Sequence, residues 1–176
     1  DKYGFVLWVD EQSHLLLRVD MVDKEGNLVE QVLGVDLDRQ PAPAPWLVTL
    51  ARSKLPDALA LEDAYPAPQQ TLNWHLTWLP GGFKVLSQDR HQLVSTSLPV
   101  DYMMLSDGVV DLSVYVSRVD PKQAVRQQLI RQGATSLVSF VNEVGVEITV
   151  VGEVPTETAK RIAESVQPLA RNEAVQ

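Results

Sequence analysis

The chain opens on a run in which Tyr3, Phe5, Leu7 and Val9 alternate with Gly4, Val6 and Trp8, so both faces of the strand it predicts are mostly apolar. A polar turn at 10–13 follows. The next run, 15–22, sets Leu15, Leu17 and Val19 against Leu16, Arg18 and Asp20. A turn at 23–27 contains Gly26, the residue type that takes φ > 0 at least cost, and a third strand is predicted over 28–35. Such short connections imply antiparallel neighbours. Three strands with two apolar faces need further partners. Together with Asp1 and Lys2 running directly into a strand, this leads us to expect the C-terminal part of a longer protein.

Residues 37–71 change character. Pro41, Pro43 and Pro45 at one end and Pro66 and Pro68 at the other supply no amide for a sheet and disfavour helix at the residues before them. Between them, 46–52 predicts a turn or two of helix, within a stiffened connector whose apolar residues are expected to rest on one of the flanking units. From Thr71 onward strands return: 72–79, broken by Pro80-Gly81-Gly82, then 83–86. Runs 100–105 and 109–116 flank Ser106-Asp107-Gly108, a strong hairpin signal. Asp120-Pro121 reads as a helix start, with Val125 and Leu129 on one face and Gly133 as the stop after Gln132. Another hairpin is predicted from 134–141 and 146–151. A final amphipathic helix over 155–169 has Ala159, Ile162, Ala163 and Val166 inward. The pattern gives an α+β fold, an antiparallel sheet with one or two packed helices. Its division is 1–36, a connector 37–71, and a second domain 72–170.

Composition narrows the function classes. The 176 residues are 45% hydrophobic and 22% charged, as in ordinary soluble domains. A formal charge of −8 argues against nucleic acid and gives no general attraction to anionic lipid. No apolar run approaches the ~18 residues of a membrane span. There is no cysteine, hence no disulfide framework or thiol chemistry.

No constellation of catalytic or metal-binding residues emerges, so neither an enzyme, a cofactor nor a metal is expected. His14, His75 and His91 lie in separate segments without metal spacing. The serines between 87 and 113 stand in no Gly-x-Ser-x-Gly elbow. Asp107 and Asp111 read as a turn residue and an exposed strand residue rather than an acid/base pair. Trp74, Leu76 and Trp78 share one strand face and read first as core, with an aromatic platform as the minority reading. Lys122, Arg126 and Arg131 form a modest basic stripe.

As a pattern, the second domain resembles the C-terminal domain of the MucB/RseB family of periplasmic regulators. The resemblance rests on Trp78-Leu79-Pro80-Gly81-Gly82-Phe83, on Ser106-Asp107-Gly108 with Ser113-Val114, on Glu147-Ile148-Thr149-Val150-Val151-Gly152-Glu153-Val154-Pro155, and on Thr158-Ala159-Lys160-Arg161-Ile162-Ala163-Glu164. Trp8-Val9-Asp10 and Leu15-Leu16-Leu17-Arg18 are similar to the closing strands of that family's N-terminal half-barrel, itself like LolA and LolB. Leu105 departs from the aromatic common at that position, and most of the barrel is absent. The resemblance implies a periplasmic protein that binds the periplasmic segment of a membrane anti-sigma factor and shields it from regulated proteolysis. It also implies relief by lipopolysaccharide or another lipid, alginate control in one branch, and a homo-oligomer as one assembly state. The partner-binding residues expected are Trp78, Leu79, Phe83, Lys122 and Arg126, and the lipid-facing ones Phe5, Leu7 and Leu17. The alternative is a periplasmic lipid or lipoprotein carrier of LolA-like type.

Overall fold

The structure, a computed structural model, describes residues 1–54, 72–91, 99–119 and 127–169. Strands β1 (Gly4–Val9), β2 (Leu16–Val22) and β3 (Leu28–Leu33) form an antiparallel meander in that order. Phe5 pairs with Met21 and Leu7 with Val19, so these four share a face, while Leu17 is the extra residue of a bulge between Arg18 and Leu16. Much of the sheet is open: Phe5, Leu7 and Trp8 are exposed, and the Arg18 guanidinium lies 4.2 Å from the Trp8 ring centroid. Helix α1 (Pro45–Arg52) buries none of its residues, and Trp46 is 66% exposed. The expectation that connector side chains rest on a flanking unit is therefore corrected for this helix. Its eight residues carry apolar groups without a partner surface among the described residues.

The remaining strands are β4 (Trp74–Leu76), β5 (Lys84–His91), β6 (Val100–Ser106), β7 (Asp111–Arg118), β8 (Gln128–Gln132), β9 (Thr135–Val141), β10 (Val146–Gly152) and β11 (Val166–Pro168). Six form an antiparallel sheet in the order β5-β6-β7-β10-β9-β8, and β11 pairs with β4 as a separate ribbon. Period-two alternation sets the inner face. Met103, Val114, Val150 and Val138 lie side by side across four strands, each at most 3% exposed. Helix α2 (Thr156–Glu164) closes that face with Ala159, Ile162 and Ala163, all fully buried.

Two predicted helices are corrected. Residues 128–132 are not the end of a helix but strand β8, paired with β9. Gly133, read as a helix stop, instead makes the tight turn into β9 at φ 58°; Gly in this conformation ends a helix or turns a hairpin equally well. The start of that predicted helix, with Lys122, Val125 and Arg126, lies outside the described residues. The last helix ends at Glu164 rather than running to 169. There the Ser165 hydroxyl donates to the carbonyl oxygens of Ile162 and Trp78, and the chain turns back as β11 against β4.

The meander meets the larger sheet through a small set of contacts. Tyr3 and Met21 pack on Ala134, whose amide donates to Glu30 Oε2 at 3.4 Å, and Thr158 Oγ1 donates to the Asp1 carbonyl at 2.8 Å. Lys2 Nζ lies 2.8 Å from Asp107 Oδ2 and 5.8 Å from the Phe83 ring centroid. Asp107 also accepts the amides of Val109 and Val110, completing the hairpin turn predicted by Ser106-Asp107-Gly108. The bond from Lys2, chiefly, holds the Asp107 carboxyl down at about 2.

Two outcomes follow from this packing. A Cβ on Gly152 would lie 2.8 Å from Leu112 Cα and 2.9 Å from the Asp111 carbonyl oxygen, so Gly152→Ala should cost about 1–3 kcal/mol in urea denaturation. Because the folded pKa of Asp107 is depressed, its pairing stabilises above the unfolded pKa of 3.8 and is lost as pH falls through about 2. Lys2→Met, which keeps the stem over Phe83, should therefore cost under about 1 kcal/mol, unchanged from about pH 8 to 5. That difference should vanish toward about pH 2 in the same denaturation assay.

Candidate functional site

Three places are candidates for a functional site. The first is the 78–83 turn that leaves β4. Thr77 donates its amide to the Ser165 carbonyl at 2.9 Å, which fixes the chain just before Trp78. Trp78 and Leu79 are half-buried, packed against the edge of the core, and the Arg161 guanidinium of α2 stacks 3.9 Å from the Trp78 ring centroid. Phe83 is only 6% exposed. It is a core residue beneath the turn, which corrects the picture of its ring as accessible apolar surface.

The second place is the junction with the meander. Phe5, Tyr3, Phe83, Val109 and Val154 line a small cavity of about 170 Å³ there, with the Lys2–Asp107 pair at its edge. Of the three residues expected to face lipid, Phe5 lies at this cavity. Leu7 is 55% exposed on the same sheet face, and the half-buried Leu17 is displaced into the β2 bulge.

The third place escaped the sequence reading. At the end of the core away from Asp107, a mostly apolar cavity of about 450 Å³ opens between the β4–β11 ribbon and the large sheet. Trp74, Val116, Val146 and Val166 line it, with Arg90, Asp101 and Arg118. Register explains the arrangement: Arg90, Asp101 and Val116 lie in one inward row, and Arg118 pairs with Val146 in the next row out. Asp101 takes a forked pair of bonds from Arg90, at 2.5 and 3.2 Å, and the Trp74 indole N–H at 3.0 Å. The bonds to Asp101 raise the proton affinity of the Arg90 guanidinium. Arg118, by contrast, is exposed and makes no ion pair among the described residues. The available signal was a charge at positions where alternation calls for an apolar residue.

The side chains considered for chemistry have structural partners or stand apart. Ser106 Oγ donates to the Val110 carbonyl and accepts the Gly108 amide. Asp111 is an exposed strand residue and Asp107 a turn residue, as the spacing suggested. His14 sits in a turn at φ 58°, and His75 is exposed on β4, opposite Gln167. Among the described residues, no group of three or more His, Cys, Asp or Glu side chains is placed to hold a metal ion. No helix among them is long and apolar enough to cross a membrane.

Comparison with known proteins agrees with this architecture. The MucB/RseB C-terminal domain matches residues 68–167, and the MucB/RseB N-terminal domain matches residues 1–59. The chain is 34% identical over 167 residues to the sigma-E factor regulatory protein RseB of Escherichia coli K12, covering 94% of this chain and 51% of that protein. It is 30% identical over 177 residues to the sigma factor AlgU regulatory protein MucB of Pseudomonas aeruginosa, covering 96% and 53%. The chain thus spans about half the length of the curated relatives it matches. The solved complex of P. aeruginosa MucA and MucB is similar at a TM-score of 0.73 and 28% identity, over 96% of this chain and 56% of that one. Both domain models, in chain order, and a shared α+β arrangement lead to one conclusion: the chain belongs to the MucB/RseB family.

Proposed function

We propose that this chain is the C-terminal part of a periplasmic regulator that binds the periplasmic segment of a membrane anti-sigma factor and shields it from regulated proteolysis. The observation that carries the reading is the likeness, over 96% of the chain, to MucB in its complex with MucA. The division proposed is a meander at 1–36, a connector at 37–71 and the larger unit at 72–170. Steric shielding needs area and shape rather than a catalytic group.

The proposed docking surface centres on Trp78 and Leu79, where a half-buried indole stacked by Arg161 offers a rigid aromatic anchor beside a cation. Phe83 contributes from beneath by holding the turn. Lys122 and Arg126 belong to the proposal on their charge alone. Relief by a lipidic signal is assigned to the meander, whose exposed Phe5 and Leu7 share one face. The same exposed face favours the second reading, a LolA-like lipid or lipoprotein carrier.

Calorimetric titration with the periplasmic segment of the organism's own anti-sigma factor tests the first reading. Saturable binding is expected, with Trp78→Ala weakening it about tenfold while the chain stays folded at the assay temperature. Absence of binding by both this chain and the full-length protein would discard the anti-sigma reading. Phe83→Ala is a poor probe, because truncating so buried a ring should cost about 3–5 kcal/mol of stability.

A further inference from the structure

The cavity bounded by the β4–β11 ribbon combines features that a structural core does not need. Its floor is apolar, from Trp74, Val116 and Val146, and its volume of about 450 Å³ lies within the range of sites that enclose small ligands. The one acidic group among the described lining residues is already neutralised. Asp101 receives Arg90 through two bonds and the Trp74 indole through a third. Arg118, on the same sheet face as Val116 and one step further toward solvent, has no ion-pair partner among the described residues. Among the described residues the lining therefore carries one uncompensated positive charge, in a chain whose formal net charge is −8.

We propose that this cavity binds an apolar group ending in a carboxylate, with the hydrocarbon on the Trp74–Val116–Val146 floor and the carboxylate on the Arg118 guanidinium. A guanidinium at the mouth of an apolar pocket recognises a carboxylate through forked, charge-assisted bonds while the hydrocarbon leaves water. A cationic head would face Arg118 and be repelled, and a neutral one would leave its charge unused. Two sources supply this chemistry: a single-chain fatty acid, and the C-terminal residue of a peptide ending in an aliphatic side chain. The proposal stands apart from anti-sigma docking at Trp78 and does not depend on it.

The test uses the whole chain with two probes, decanoate below its micelle concentration and acetylated alanyl-leucyl-leucine with a free C-terminus. The amide of that peptide and decyl maltoside serve as uncharged controls. The readout is the Trp74 indole N–H resonance in a ¹H–¹⁵N NMR spectrum, because that proton is held by Asp101 in the cavity wall. Saturable movement of this resonance with either carboxylate supports the proposal and identifies the source. Arg118→Gln, an exposed change with no bond to lose, should weaken the binding about tenfold. Val146→Phe, which fills the space from a partly exposed position, should abolish it at unchanged stability. Fatty acid adhering to the open meander would leave the Trp74 resonance unmoved. The proposal is overturned if neither carboxylate moves that resonance, or if the uncharged controls move it as strongly and Arg118→Gln makes no difference.

Discussion

The second half of this protein depends on one packed row. Val114, Val150 and Val138, flanked by Met103, sit shoulder to shoulder on the inner face of the six-stranded sheet, and Ile162 and the alanines of α2 seal them from water. Burying a valine or isoleucine side chain is worth about 1.5–3 kcal/mol, so this row with its helix is the main source of stability for the fold. The close approach of β10 to β7 at Gly152 is part of the same constraint, since any side chain there would push Leu112 out of line. The candidate sites are arranged around that row. The 78–83 turn and the end of α2 meet at one side of it, the Asp107 turn lies at one end, and the Arg118 cavity lies at the other.

The contact between the meander and the larger unit has a different physical character. Among the described residues it has one small apolar cluster of Tyr3, Met21 and Ala134, a charged clasp between Lys2 and Asp107, and two hydrogen bonds. Such a contact fixes an orientation without the strength of a shared core. The apolar face left open on β1 and β2 asks for cover, and the N-terminal family match at residues 1–59 identifies the kind of domain this meander belongs to.

Much of the architecture was legible in the residue pattern. Alternation located β6, β7, β9 and β10, Ser106-Asp107-Gly108 and Asn142 to Gly145 located the hairpins, and the inward stripe of α2 named its buried residues. Local signals failed where one sequence satisfies two structures. Val125, Leu129 and Gly133 are spaced as a helix face and its stop, yet β9 recruits 128–132 as a strand. The β4–β11 ribbon was illegible because it joins segments far apart in the chain, with Thr77 bonded to Ser165 across 88 positions. Of the expected partner-binding set, Trp78 and Leu79 emerge at an accessible edge, while Phe83 turned inward because its alternation matches the core. In the sequence the Arg118 cavity showed only as charges at positions where alternation calls for an apolar residue, and strand register was needed to bring them together, since Arg118 looks like an ordinary polar strand end until Val146 is placed beside it.

Hydrogen exchange read by mass spectrometry, on this chain with and without the periplasmic segment of the anti-sigma factor proposed as its partner, is the decisive measurement for the docking surface. Slowed exchange confined to the peptides spanning 76–83 and α2, with the β6–β7–β10 core unchanged, is expected. Saturating binding that leaves 76–83 and α2 exchanging as in the free chain would contradict that docking surface.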